Sequence, residues 1–146
     1  MLPARPSARR LESERLVLEP LRVGHAQAMV DVLADAALYR FTGGEPPSIQ
    51  QLTARYERQL AGPSPDGREQ WLNWIVCRRD GTALGFVQAT VSGELPLTAE
   101  VAWVVATGQQ GRGLATEAAG AMLGWLRETV GVTVFVAFIH PDHGAS

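Results

Sequence analysis

The segment Gln110-Gly111-Arg112-Gly113-Leu114-Ala115 carries the clearest chemistry in this chain: two glycines flank an arginine, and an apolar helical pattern begins at once. Helix-initial N–H groups lack intrahelical partners and sit at the positive end of the macrodipole, so such a turn attracts an anion. Gly111 and Gly113 let backbone approach a ligand with no Cβ in the way, and Arg112 adds a charge-assisted contact. The competing reading is a tight strand-to-helix turn whose glycines serve its dihedral angles alone. Two other phosphate loops fit poorly. A Walker loop needs Gly-Lys-Ser/Thr, and all 13 basic residues here are arginine. A dinucleotide fingerprint needs G-x-G-x-x-G/A after the first strand of its unit, whereas the sixth position from Gly111 is Thr116.

Elements on either side must position this turn. Leu16 and Leu18 before Pro20 predict a short first strand. Apolar stripes predict helices over His25 to Leu38 and over Ile49 to Leu60, the latter through Leu52, Tyr56 and Leu60. From Trp71 the period changes. Trp71 to Cys77 and Leu84 to Val91 read as strands joined by a hairpin at Asp80-Gly81, Gly93 to Pro96 as a second turn, and Glu100 to Val105 as a third strand. An antiparallel meander thus precedes the glycine turn. Beyond it, Leu114 to Val130 predicts an amphipathic helix with Glu117, Gly124, Arg127 and Glu128 on its outer side. Val132 to Phe138 is nearly all apolar, as in a strand covered on both faces and paired in parallel through a right-handed crossover. The expected class is α/β (α+β): one mixed sheet, an antiparallel meander followed by a parallel β-α-β crossover, with helices on both faces.

A length of 146 residues with 46% hydrophobic content fits a single domain over residues 1–146. The net charge of -2 gives no general reason to expect nucleic-acid or anionic-membrane binding, and it favours cationic ligands only by a small margin. No segment has the length and apolarity of a signal or membrane span, and lone Cys77 cannot form an internal disulfide, so a reducing cytoplasm is expected. Three histidines and one cysteine offer no metal spacing, so no metal is invoked. Trp71, Trp74, Trp103 and Trp125 are read as core packing, and so is Cys77. His25 is expected to begin a helix, and His140 and His143 are read as loop histidines.

Gln110 to Ala115 resembles the Q/R-x-x-G-x-G/A pyrophosphate motif of the GNAT acyl-CoA N-acyltransferases, and its place after an antiparallel meander is similar too. Arg10 to Leu18 resembles the opening strand of the branch that includes ribosomal-protein N-terminal acetyltransferases. Ala115-Thr116-Glu117-Ala118-Ala119 resembles that branch's helix start, and His140 to Ser146 the segment ending its fifth strand. The resemblance implies acetyl-CoA as co-substrate and an amine acceptor, a small molecule or a protein N-terminus. It places the pyrophosphate on Gln110, Gly111, Arg112, Gly113, Leu114, Ala115 and Thr116, and the thioester carbonyl on backbone donors of Trp103, Val104 and Val105. Glu100, where the branch has a glutamate, is the implied general base. Ser146 matches a serine that orients the thiol. His143 stands where the family has asparagine against pantetheine, and Arg40 and Phe41 fall where its first helices border the acceptor cleft. Family chains continue past the position of Ser146 through a further helix and two strands, so the resemblance implies a C-terminally incomplete domain, its missing wall absent or supplied by a homodimer partner.

The expected function is therefore acetyl-CoA-dependent N-acetylation of a primary amine by direct attack in a ternary complex. A non-catalytic acyl-CoA-binding or dimer-forming module is the alternative, and dinucleotide binding a more distant one.

Overall fold

The computed structural model describes residues 7–34, 45–62, 64–93, 96–106 and 113–137. Strands β1 (Leu11–Glu12), β2 (Leu16–Pro20), β3 (Glu69–Arg78), β4 (Ala83–Ser92), β5 (Leu97–Val105) and β6 (Val132–Ala137) form one sheet in the order β1-β2-β3-β4-β5-β6. Every pair is antiparallel except β5 with β6, which is parallel across helix α3 (Leu114–Trp125). The meander and the crossover of the sequence reading are both present. β1 is a two-residue addition at the edge.

Alternation along the strands sorts the core into two layers. Leu72, Trp74 and Val76 of β3, with Val87, Ala89 and Val91 of β4, share a buried cluster with Leu114, Ala118, Met122, Trp125 and Leu126. Ile75 and Cys77 take the opposite face, under α1 (Ala26–Val32) and α2 (Ile49–Leu60), with Met29, Leu52 and Tyr56. Helices therefore cover both faces, but unevenly, because α1 and α2 lie over the β3 and β4 side of their face. Farther along that face Val104 still packs against this cluster, whereas Glu100 is exposed.

α2 begins at a reciprocal cap: Gln51 N–H donates to Ser48 Oγ at 3.1 Å, and Ser48 N–H donates to Gln51 Oε1 at 2.9 Å. Its expected bounds hold, although Leu60 is 47% exposed and takes no part in the buried stripe. Other expectations need correction. Among the described residues the first helix, expected from His25 to Leu38, has a 3-10 turn at Val23–His25 and α-helix over Ala26–Val32; residues 35–38 lie outside them. Leu33 has ψ near 4°, and Ala34 N–H reaches back three residues to Asp31, so the last described turn tightens. The long helix changes pitch after Trp125: Leu126–Val130 is a π turn, closed by Gly131 N–H donating to Leu126 O at 2.9 Å. β6, expected to be covered on both faces, ends the sheet among the described residues, leaving Val134 and Val136 each 42% exposed.

Candidate functional site

Gly113 occupies the left-handed region at φ 76°, ψ 5°, as the N-cap of α3, and Glu117 N–H donates to its carbonyl at 3.0 Å. A residue with Cβ would be strained there. Leu114, Ala115 and Thr116 follow as the first helical residues, with Leu114 buried, Ala115 half-buried and Thr116 exposed. Their N–H groups precede the first intrahelical bonds and point out of the helix end, the donor array that an anion needs.

Sequence reasoning missed what holds this turn. Glu117, expected on the solvent side of the helix, accepts from Ser13 Oγ, from the Arg15 backbone N–H at 2.8 Å and from Arg15 Nε at 2.7 Å. Burial pushes the Glu117 carboxyl up, but the Ser13 and Arg15 hydrogen bonds outweigh it and hold the pKa below the ordinary value. The same ion pair carries the Arg15 guanidinium to Gly113, where a Cβ built on the glycine would sit 3.5 Å from Nη2. A cation is thus fixed beside the proposed phosphate turn.

β5 leads toward this turn. Ala106 N–H donates to Leu84 O at 2.7 Å, so alternation in the antiparallel ladder also turns the Val104 N–H toward β4. Trp103 and Val105 N–H groups therefore face the β6 side. Of the three backbone positions implied for the thioester carbonyl, Val104 is a ladder donor, and the other two turn away from β4. Parallel pairing with β6 is described as far as Val101 with Ala137, so Trp103 and Val105 lie beyond that register. Opposite Val105 stands Gly85, where a Cβ would come within 1.9 Å of the Val104 carbonyl oxygen, and only glycine admits so close a backbone.

Glu100 is exposed on the open face, paired across β4 with Thr90 and alongside Val136 of β6. Next to Thr90 a cavity of about 350 Å³ lies between α2 and the sheet, lined by Arg55, Arg58, Gln59, Trp71, Asn73 and Gln88 among others. Trp71 therefore lines a cleft, against the expectation that all four tryptophans pack in the core. Its ring lies on Gly62, and its Nε1 donates to Glu69 at 3.4 Å. Trp74 and Trp125 do pack in the core, edge to face at 5.6 Å.

Gln110, Gly111, Arg112, His140, His143, Ser146, Arg40 and Phe41 fall outside the described residues. Cys77 is buried as expected; burial and Glu19 push its thiol up to about 12, which makes it no nucleophile at neutral pH. His25 closes the 3-10 turn and caps α1, held below its ordinary pKa by burial and by Arg22. Among the described residues no group of three or more His, Cys, Asp or Glu is placed to hold a metal ion. No helix among them is long and apolar enough to cross a membrane.

The family model described as Acetyltransferase (GNAT) domain matches residues 15–146. An acetyltransferase of the GNAT family from Bacillus anthracis superposes with a TM-score of 0.76 at 16% identity, over 94% of this chain and 78% of that one. An acetyltransferase from Agrobacterium tumefaciens aligns at 25% identity and TM-score 0.67, over 99% of this chain and 81% of its own. A ribosomal L7/L12 α-N-protein acetyltransferase aligns at 12% identity and TM-score 0.74, over 88% of this chain and 70% of its own. No curated protein matches the chain.

Proposed function

The chain belongs to the GNAT acetyltransferase domain family, and we propose that it is a cytoplasmic N-acetyltransferase that passes the acetyl group of acetyl-CoA to a primary amine by direct attack. The observation that carries this reading is the order of parts along β5 and α3: a carboxylate at Glu100, a Trp103 amide that faces the β6 side, then the start of α3 at Gly113. That order suits an extended ligand lying along the strand with its diphosphate at the helix.

Bound acetyl-CoA supplies an activated acyl group and a stable thiolate leaving group. The protein's share is positioning, proton handling and charge stabilisation. Amides of Leu114, Ala115 and Thr116 would hold the diphosphate, with Gln110, Gly111 and Arg112 completing the turn. Trp103 N–H would donate to the carbonyl oxygen as negative charge gathers there, a contribution of about two to three decades in rate per well-aimed donor. Glu100 lies three residues before Trp103, about 10 Å along the strand, and would take the amine proton directly or through water. Ser146 would orient the departing sulfur, His143 would border the pantetheine arm, and Arg40 and Phe41 would border the acceptor.

α-Amines titrate near about 8 and a lysine side chain near about 10.4, so the base matters more for the second. Glu100→Gln should lower kcat/KM by roughly one hundred- to ten-thousand-fold while leaving acetyl-CoA affinity nearly unchanged. Thiol release monitored with acetyl-CoA and a panel of primary amines tests this. A Glu100→Gln variant as fast as the parent would remove that carboxylate from the mechanism, and failure to bind acetyl-CoA would remove the transferase.

A further inference from the structure

We propose that the cleft beside Glu100 selects amines that carry a carboxylate, anchored by Arg55 and Arg58. The proposal rests on the N-acetyltransferase reading and names the substrate class of that same site.

Arg55 and Arg58 are three residues apart on α2, hence neighbours on one helix face, and both line the cavity of about 350 Å³ under that helix. Among the described residues no carboxylate lines it. Arg10, Arg15, Arg22 and Arg79 each have a carboxylate within 4.0 Å, whereas among the described residues neither Arg55 nor Arg58 has such a partner. A smaller cavity under α2 is lined by four of the same residues, Arg55, Gln59, Asn73 and Gln88, three of which carry side-chain amides.

Two planar guanidinium forks with amide donors between them match a carboxylate and repel an ammonium group. Thr90 sets the direction, because it lines this cavity and pairs with Glu100 across the ladder, where paired Cβ atoms are about 5 Å apart. An acceptor lying across β4 would thus put its amine at Glu100 and its acid group at the arginines. The chain's net charge of -2 points toward cationic acceptors. Screening within about 8 Å at physiological salt leaves the local arginine pair in control.

The test compares thiol release for matched acceptors: amino acids and short acidic peptides, the same compounds as amides, and spermidine. The expected result is a kcat/KM at least tenfold higher for the carboxylate than for its amide. In Arg55→Ala/Arg58→Ala that ratio should fall toward one through a higher KM for the carboxylate acceptor, and Arg55→Lys/Arg58→Lys should recover part of it. Spermidine outperforming every carboxylate acceptor, or a double variant that lowers both members of a pair equally, would overturn the proposal. Thiol release with no amine at all would instead sink the transferase reading. Calorimetric binding of the same carboxylate amines, present in the parent and lost in the double alanine variant, then decides the cleft independently of turnover; its absence in the parent overturns the proposal.

Discussion

Glu117 shows how one side chain can set a binding turn. Its carboxylate receives three hydrogen bonds from Ser13 and Arg15, residues more than a hundred positions earlier, and so ties the β1–β2 hairpin to the start of α3. The folded-state pKa lies below the ordinary value. Stability from this contact is therefore fully present above the unfolded value near about 4.3 and is lost as pH falls through the lower folded one. Glu117→Gln should lower stability by about 1–2 kcal/mol at pH 7, with Arg15 half-exposed and the ion pair weakened by solvent. The same variant should flatten the loss of stability between about pH 5 and 3, and thermal unfolding over that range measures both effects. Parent and variant melting in parallel at every pH would show that the carboxylate is not under load. No local pattern in the sequence reports this contact, because helical spacing places Glu117 correctly on the outer face and says nothing of a hairpin docking there.

At the scale of elements, the sequence was most legible where the local signal and the tertiary demand agree. The Ile49–Leu60 helix, the Asp80-Gly81 hairpin and the strand before the glycine turn follow from periodicity and turn chemistry. The apolar run at Val132–Ala137 misled, since continuous apolarity reports what a strand's faces can tolerate and not what lies on them. Val134 and Val136 share the open face with Glu100, and the outer edge of β6 carries unpaired backbone groups among the described residues. An exposed apolar edge of this kind templates association. The 146-residue chain should therefore self-associate at high concentration, and Val134→Lys/Val136→Lys should shift it measurably toward monomer in sedimentation velocity runs. Identical distributions for the two would mean that β6 is not the sticking surface.

Across the whole molecule, the arrangement puts its two helical layers to different uses. α3 and its cluster back one face of the sheet, while among the described residues α1 and α2 pack mainly on β4 and β3, with a cleft at Thr90, the cross-strand partner of Glu100. The start of α3 was readable because a glycine before an apolar helical pattern is a local signature. The cleft was not, because Arg55, Trp71, Gln88 and Glu100 come from four separate elements and meet only once the sheet is built. If acetyl-CoA lies along β5 with its diphosphate at the start of α3, backbone amide NMR during a titration with acetyl-CoA will locate it. Saturable shifts should concentrate at Gly113, Leu114, Ala115, Trp103 and Val105, with Glu57 and Glu128 unmoved; shifts absent from the α3 start, or gathered on α2 alone, would rule that binding mode out.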